Sequence, residues 1–282
     1  ESNGLIEIGN PLEEYLFYRV RRLGSGLDTS FYSDQQLIIF DSLPAGNYMI
    51  THTNGEGCTA DIFEYLMEPD YVIVEESTIS EYPGGYNIRC FADSNGSITL
   101  DDISGGHGNY NYKWWNNTDT LPFTTPGIYD LVADTYYVKI MDPFGCYIND
   151  TFELSEPEDI AIGIEIPLAP DSINNLSCYG DMNGYIRLSV SGGDTTSAPY
   201  SYDWAHGPTN SELTNIASGT YYVTVSDGIN CADSAEIILA EPPELVIDSV
   251  NYSDYLGYGV TCYGSSDGFI KIYPEGGVKN YH

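Results

Sequence analysis

The segment GTYYVTVSDGINC (Gly219–Cys231) decides how this chain is read. Tyr221, Val223 and Val225 alternate with Tyr222 and Thr224, the two-residue period of a strand that turns one face inward. Two relatives of it lie upstream, DTYYVKIMDPFGC (Asp134–Cys146) and GNYMITHTNGEGC (Gly46–Cys58). Tyr136, Val138 and Ile140 repeat the inward set, and Tyr48 and Ile50 follow it more weakly. The closing cysteines Cys58, Cys146 and Cys231 are 88 and 85 residues apart, and the Glu-Pro pairs at 68/69, 156/157 and 241/242 keep the same two spacings. A second series, Cys90, Cys178 and Cys262, opens CFADSNGSI, CYGDMNGYI and CYGSSDGFI, with Gly-Gly pairs at 105/106, 192/193 and 276/277 following in step. Landmarks metered in this way mark an array of one small module.

The register predicts four segments: 1–69, a partial repeat whose start is missing; 70–157 and 158–242, complete repeats; and 243–282, a partial repeat whose end is missing. Ser2-Asn3-Gly4 aligns with Ser94-Asn95-Gly96, so the cysteine equivalent to Cys90 is expected ahead of residue 1. The sequence thus reads as a window on a longer repeating polypeptide.

Within each repeat, Ile98/Leu100, Ile186/Leu188/Val190 and Ile270/Ile272 form a second strand after NGS, NGY and DGF. Glycine there is expected to supply the positive φ of a tight reversal. The segments YNYKW (110–114) and YSYDW (200–204) form a third strand, with Trp114 and Trp204 as core plugs. No stretch keeps a helical period. The expected fold class is all-β, an elongated tandem array of immunoglobulin-like β-sandwich modules of about 85 residues. Each module would add roughly 30 to 40 Å of length.

Nine Lys+Arg against 42 Asp+Glu give a net charge of -33, yet 42% apolar and 13% aromatic content exceeds that of a disordered acidic tail. Nucleic acid is excluded as a partner, because phosphate neutralisation needs basic patches and the one cluster is Arg19, Arg21 and Arg22. No apolar run is long enough to insert into a bilayer. The acidity reads as solubility and mutual repulsion between surfaces.

Two cysteines per complete repeat suggest a staple for a small module and an oxidising, extracytoplasmic location. Pairing within a repeat, Cys90–Cys146 and Cys178–Cys231, closes loops of about fifty residues, worth about 4 kcal/mol by loop-closure entropy. Cys58 and Cys262 would then pair with cysteines outside these residues. The rival pairing joins neighbours, Cys58–Cys90, Cys146–Cys178 and Cys231–Cys262. Its flanking strands lead apart in an end-to-end array, and a cystine tolerates only about 7 Å between Cα atoms, so the intra-repeat bridge is preferred. Zinc would need clustered ligands, and the sequence has no CxxC and no HxxxH.

The third repeat resembles the SprB repeat of giant cell-surface adhesins from gliding bacteria that export proteins by the type IX system. The resemblance rests on its C-x-G-x-x-x-G opening, the Gly-Gly and Pro-Tyr-x-Tyr-x-Trp steps, the Gly-x-Tyr strand, and the D-x-x-x-C close with trailing Glu-Pro. The second repeat departs at Asp134, where the glycine belongs, and lacks the proline before Tyr110; the first replaces the Tyr/Trp strand by EEYLFYRVRRLGSG. The resemblance implies a long filament or stalk, moved by outer-membrane gliding machinery or gripping a substratum or extracellular polysaccharide. It also draws attention to an acceptor pattern for O-glycosylation, Asp-Ser/Thr followed by a small or aliphatic residue, at Ser42, Thr120, Ser172, Thr195, Ser234 and Ser249. Chance in an Asp-, Ser- and Thr-rich chain explains that pattern equally well.

Asp93, Asn95, Asp181, Asn183 and Asp267 recur beside a glycine and invite a calcium reading, although the third oxygen ligand and distal Glu of an EF-hand loop are missing. A turn role is favoured for them. Acidic residues at the Glu-Pro junctions (Glu156, Glu158, Asp159, Glu241 and Glu244) are the other calcium candidates, and Pro69, Pro157, Pro242 and Pro243 would limit bending by fixing φ. Outward tyrosines such as Tyr137 and Tyr222 offer faces for sugar stacking or for cross-strand packing. His52, His107, His206 and His282 occupy non-equivalent positions with no partner constellation in the sequence, and no recurring nucleophile and base is present.

The expected function is therefore non-enzymatic: a structural segment of a very large secreted adhesin at the cell surface, with neighbouring repeats as its first partners and no cofactor beyond candidate calcium. The alternatives are spacers in a multidomain extracellular enzyme, or carbohydrate-binding modules.

Overall fold

The computed structural model describes residues 4–10, 16–169, 173–205, 207–279 and 281. Among these residues the secondary structure is strand, apart from a single 3-10 turn at Pro83–Gly85. The chain groups into two compact units, one of residues 1–73, 103–110 and 141–147, the other of residues 74–102, 111–140 and 148–282.

The first repeat carries β1 (Gly4–Gly9), β2 (Leu16–Arg22), β3 (Asp28–Ser33), β4 (Leu37–Leu43), β5 (Gly46–Thr53) and β6 (Thr59–Leu66). The second carries β7 (Ile73–Ile79), β8 (Gly96–Ser104), β9 (Asn111–Asn116), β10 (Gly127–Leu131), β11 (Asp134–Met141) and β12 (Tyr147–Leu154). The third carries β13 (Ala161–Glu165), β14 (Gly184–Ser191), β15 (Ser201–Trp204), β16 (Glu212–Ile216), β17 (Gly219–Ser226) and β18 (Ala232–Leu239). Residues 243–282 contribute β19 (Val246–Tyr252) and β20 (Ile270–Glu275).

The third repeat shows the plan in full. One antiparallel sheet has the order β13-β14-β16 and the other β15-β17-β18. These are the A-B-E and C-F-G sheets of an immunoglobulin-like sandwich. The inward residues read from the sequence meet between them: Ile186 and Leu188 of β14, Leu213 of β16, Val223 and Val225 of β17, and Ile237 and Leu239 of β18. Trp204 on β15 lies opposite Val223 in register and is 2% exposed. A buried indole N–H needs an acceptor, and Trp204 Nε1 donates to the Asn210 carbonyl at 2.9 Å. Tyr221 caps the same core with its hydroxyl on the Ala217 carbonyl, four residues back, at 2.9 Å. Tyr136 makes the equivalent bond to Val132 and Tyr48 to Pro44. This is the tyrosine corner at the start of an immunoglobulin F strand, and it explains the Tyr in every Gly/Asp-x-Tyr step.

The second repeat has the same sheets, β10-β8-β7 and β12-β11-β9. Trp114 is fully buried, with Nε1 on the Thr125 carbonyl at 2.9 Å and its ring beside Phe152. The first repeat pairs β1 with β4 and widens the other sheet to β3-β2-β5-β6. Its divergent middle folds as a β2–β3 hairpin, and Val20 faces Ile50 as Trp204 faces Val223. The core there comes instead from Tyr18, Phe40 and Tyr48 around Val20. In residues 243–282, β19 and β20 form a two-stranded sheet, and Ile270 is 78% exposed where its equivalent Ile186 is fully buried.

One expectation about the turns is corrected. Gly96, Gly184 and Gly268 do not adopt positive φ; what they require is space. A Cβ on Gly96 would lie 2.5 Å from Ile88 Cδ1 and 2.9 Å from the Leu131 carbonyl, so glycine lets the strand start against its neighbours. The positive φ falls just after the cysteine, at Ala92, Gly180 and Gly264.

Candidate functional site: the junction between repeats

The junctions after the second and third repeats are built from three recurrent pieces, of which the last also occurs after the first repeat. The first is the loop opened by Cys90, Cys178 or Cys262. Asp93, Asp181 and Ser265 donate their backbone N–H to the carbonyl of that cysteine at 3.1, 3.2 and 3.0 Å. Six residues after Arg89, Ser177 and Thr261, the side chains of Asn95, Asn183 and Asp267 accept those residues' N–H at 3.0, 3.4 and 3.2 Å. The Asn95 amide also donates to Asp93, and the Asn183 amide to Asp181 at 3.4 Å and to Ser177 Oγ at 3.0 Å. Asp267 is lowered from its ordinary pKa by its bonds from Thr261. The calcium candidates of the sequence are thus placed as the clasps of a turn.

The second piece is the Glu-Pro pair. Glu156 Oε2 accepts the Ala92 N–H at 2.8 Å, and Glu241 Oε2 accepts the Gly180 N–H at 2.7 Å. In the same way the Ser155 carbonyl accepts from Asn87 and Ile88, and the Ala240 carbonyl from Asn175 and Leu176. Glu156 and Glu241 therefore tie the ends of the last strands of the second and third repeats to their own cysteine loops. Pro157 and Pro242 are buried.

The third piece lies just past the linker. Gly106, Gly193 and Gly277 donate N–H to the carbonyls of Asp70, Glu158 and Pro243 at 2.7, 2.8 and 2.8 Å. Their partners Gly105, Gly192 and Gly276 hold φ of 82°, 82° and 75°. A Cβ on any of them would sit 1.8, 1.8 or 1.9 Å from the carbonyl oxygen of Tyr71, Asp159 or Glu244. The Gly-Gly pair is a dock for the incoming linker, and nothing larger than hydrogen fits there.

Beside the dock stands the D-x-x-x-C hairpin. Asp227 Oδ1 accepts from Ile229 and Cys231 at 3.0 and 2.8 Å, and its Oδ2 from Asp194 at 2.8 Å. In the second repeat Asp142 Oδ1 accepts from Phe144 and Cys146, both at 2.9 Å, and its Oδ2 from the His107 N–H at 3.1 Å. Asn54 does the same for Glu56 and Cys58. The buried carboxylate serves as the mould that presents the cysteine.

Cys90 is joined to Cys231, with Cα atoms 5.5 Å apart, and Cys58, Cys146, Cys178 and Cys262 are free and exposed. This corrects the expected pairs Cys90–Cys146 and Cys178–Cys231, and the rival scheme of adjacent cysteines as well. The reason is visible in the third repeat. Cys178 lies six residues before β14 begins, whereas the Asp227 hairpin that carries Cys231 packs on Gly193, two residues after β14 ends. Eight extended residues separate the two by about 26 Å, far beyond the reach of a cystine. What lies within reach of Cys231 is the cysteine loop of the preceding repeat. Ile160 and Ile229 pack around the bridge, and Gly84 of the 3-10 turn lies against Asp194. A cleft of about 250 Å³ opens beside it, lined by Phe91, Asp93, Pro157, Asn230 and the two cysteines.

Among the described residues, one cluster has the donors for a metal ion: His107, Asp142 and Cys146, whose ligand atoms all lie within 4.8 Å of one another. Sequence inspection missed it, because His107 is matched by Asp194 in the third repeat. The His107 ring pairs with Asp142 Oδ2 at 2.9 Å. That hydrogen bond is the chief reason the Asp142 carboxyl sits at about 2, with desolvation opposing it and the backbone bonds helping. Desolvation and then the Asp142 charge push the Cys146 thiol up. Both oxygens of Asp142 are already occupied by hydrogen bonds, so the geometry fits a turn clamp before a metal ligand.

The surface candidates are more scattered. Ser42, Thr120, Thr195, Ser234 and Ser249 are exposed; Ser172 and His206 lie outside the described residues. Ser42 has φ 57°, as do Asp130 and Asn215 at equivalent strand irregularities. Tyr222 is 50% exposed, and Tyr137 stacks on Trp115 at 5.7 Å with an interplanar angle of 14°.

A family model follows the repeat positions. The family model described as the SprB repeat matches residues 86–119 and 171–209, which hold Cys90, Gly105-Gly106 and Trp114 in one segment and their equivalents in the other. Among curated proteins, none matches the chain. Solved structures similar to it include the three N-terminal domains of the highly immunogenic outer capsid protein of bacteriophage RB49, at 11% identity, 83% of this chain, 90% of that chain and TM-score 0.36. A 1.5-MDa bacterial ice-binding adhesin is similar at 14% identity, 85% of this chain, 91% of that chain and TM-score 0.35. No helix among the described residues is long and apolar enough to cross a membrane.

Proposed function

We infer that this chain is a load-bearing stalk segment of a large secreted adhesin at the cell surface, of the kind used in gliding motility or surface attachment. Its work is mechanical rather than catalytic. The SprB-repeat matches support the adhesin assignment. The observation that carries the mechanical reading is the junction: the same docked linker at Gly105, Gly192 and Gly276, closed at one of them by a cystine. A flexible spacer needs neither feature, whereas a strut that must transmit force and resist hinging needs both. Type IX export, a link to outer-membrane gliding machinery and a polysaccharide or solid substratum as the distal contact follow from the same reading. Antibody labelling of intact cells that make the protein tests it, together with in-frame deletion of residues 70–242. Surface labelling and a loss of attachment or gliding are expected. Labelling that requires permeabilised cells, or a deletion without effect on either behaviour, would overturn the assignment.

A further inference from the structure

We propose that the four free cysteines are unfinished rungs of a disulfide ladder, in which the first cysteine of each repeat is oxidised with the second cysteine of the repeat that follows it. Cys90–Cys231 is the one such pair whose members both lie in this chain. Under this rule Cys178 would pair with the D-x-x-x-C cysteine of a repeat that completes the β19–β20 sheet, and Cys262 with that of a repeat after it. Cys146 would pair with a cysteine placed six residues before Gly4, the spacing from Cys90 to Gly96, and Cys58 with that of a repeat earlier still.

The geometry supports each half of a rung separately. The loop around Cys178 repeats the backbone bonds of the loop around bonded Cys90, together with the Asn183 clasp on Ser177 that matches Asn95 on Arg89 and the Glu241 clasp on Gly180 that matches Glu156 on Ala92. The hairpin around Cys146 copies that around bonded Cys231, through Asp142 in place of Asp227. The linker docks that bring the two halves together recur at Gly105 and Gly276 as at Gly192. Each rung forms when two thiols lose two protons and two electrons to a disulfide oxidant, which leaves as two thiols; oxidised glutathione or a thiol oxidoreductase serves.

The ladder has a mechanical consequence that a single staple lacks. Tension arriving through Cys231 reaches Pro242 by eleven residues, eight of them in the already extended β18, and from Pro243 the next rung at Cys262 is nineteen residues on. A fully bridged array would therefore lengthen little even where its sandwiches unfold.

The test joins a second copy of residues 112–282 directly after His282, which completes the 243–282 sheet in register and adds one further repeat. After oxidation with oxidised glutathione, non-reducing peptide mapping should find three bridges: Cys90–Cys231, Cys178 to the second-copy Cys146, and Cys262 to the second-copy Cys231. Four of the ten cysteines should remain open to alkylation. Eight alkylated cysteines, or Cys178 bonded to Cys231 of its own repeat, would overturn the proposal. The unextended chain gives an independent check, with one bridge and four alkylated thiols expected; a Cys90–Cys146 bridge there would overturn it as well. Neither outcome depends on where the protein resides in the cell, so the ladder and the adhesin assignment stand or fall separately.

Discussion

The hairpins at Cys146 and Cys231 share one mould and differ in what surrounds it. Around Asp142 the neighbour is His107, which supplies a partner ring to the buried carboxylate, and the cysteine is free. Around Asp227 the neighbour is Asp194, a second buried carboxylate whose Oδ2 has no hydrogen-bond partner among the described residues, and the cysteine is bonded. The turn itself is indifferent to the exchange, since both carboxylates accept the same backbone N–H groups. Shape is therefore set by the D-x-x-x-C spacing, while the flanking residue differs between the two, and the bonded cysteine is the one that meets the Cys90 loop.

The bridge separates the two hairpins most sharply, so its loss has the largest expected effect. Loop-closure entropy over the 141 residues it spans is worth about 5 kcal/mol. Cys231→Ser should lower the free energy of unfolding by up to that amount, measured by denaturant titration, while Cys146→Ser should change it little. Force spectroscopy adds a geometric readout. With the cystine intact, the residues between Cys90 and Cys231 are shielded from tension, and reduction should add about 490 Å to the fully extended length at ~3.5 Å per residue. Equal contour lengths in the two redox states would remove the bridge from the force path.

The linker dock comes next. Gly192→Ala forces a Cβ onto the Asp159 carbonyl at positive φ, and Gly105→Ala does the same against Tyr71. Each should cost about 3 kcal/mol, combining the left-handed penalty with a backbone overlap that no rotamer relieves. With the cystine reduced, protease cleavage at the 155–160 linker should accelerate in Gly192→Ala. An unchanged digestion pattern would mean that the linker is held by something other than this dock.

These features show what the sequence could reveal. The sandwich was legible because its signals are local and repeated: the Tyr-x-Val-x-Val alternation, Trp114 and Trp204, and the Gly-x-Tyr corner each report on one strand and its face. The Gly-Gly pairs were visible as landmarks, but their role needs the linker carbonyl that lies against them, a contact no spacing announces. The cystine was missed for a related reason. The expectation that flanking strands lead apart favoured partners within one repeat, yet what decides is which end of β14 each cysteine occupies, and that follows only once the strand is known to run between them. His107 was invisible because its partner Asp142 is thirty-five residues away and its repeat-three counterpart is an aspartate.

The charge difference between the two hairpins can be tuned directly. Asp194→Asn replaces an unpartnered buried carboxylate oxygen by a neutral amide, and should stabilise the fold at neutral pH by about 1–2 kcal/mol. At the other hairpin the Asp142 carboxyl is depressed in the folded state to about 2. Its contribution is therefore complete above the unfolded value near 4 and is lost as pH falls through about 2. Asp142→Asn should flatten that acid limb in a pH series of thermal melts while keeping the turn, because Asn54 already holds the equivalent hairpin at Cys58. An acid limb that persists unchanged would assign it to other carboxylates.

The smallest effect concerns the other half of the bridge. Ala92 follows Cys90 by two residues and holds φ 59°, where Gly180 and Gly264 take 74° and 82° in the equivalent loops. A Cβ in the left-handed region costs about 1–2 kcal/mol, and the extra freedom that glycine gives the unfolded chain takes back about 0.4–1 of that. Ala92→Gly should thus stabilise the chain by roughly 0.5–1 kcal/mol, and Gly180→Ala should destabilise it by a similar amount, both read from urea midpoints at constant slope. If the two substitutions shift the midpoint in the same direction, the Cys90 and Cys178 loops are not the equivalent halves of one device. If the shifts are opposite and matched, the two loops share one backbone, and the bonded state of Cys90 reflects its neighbour rather than its own loop.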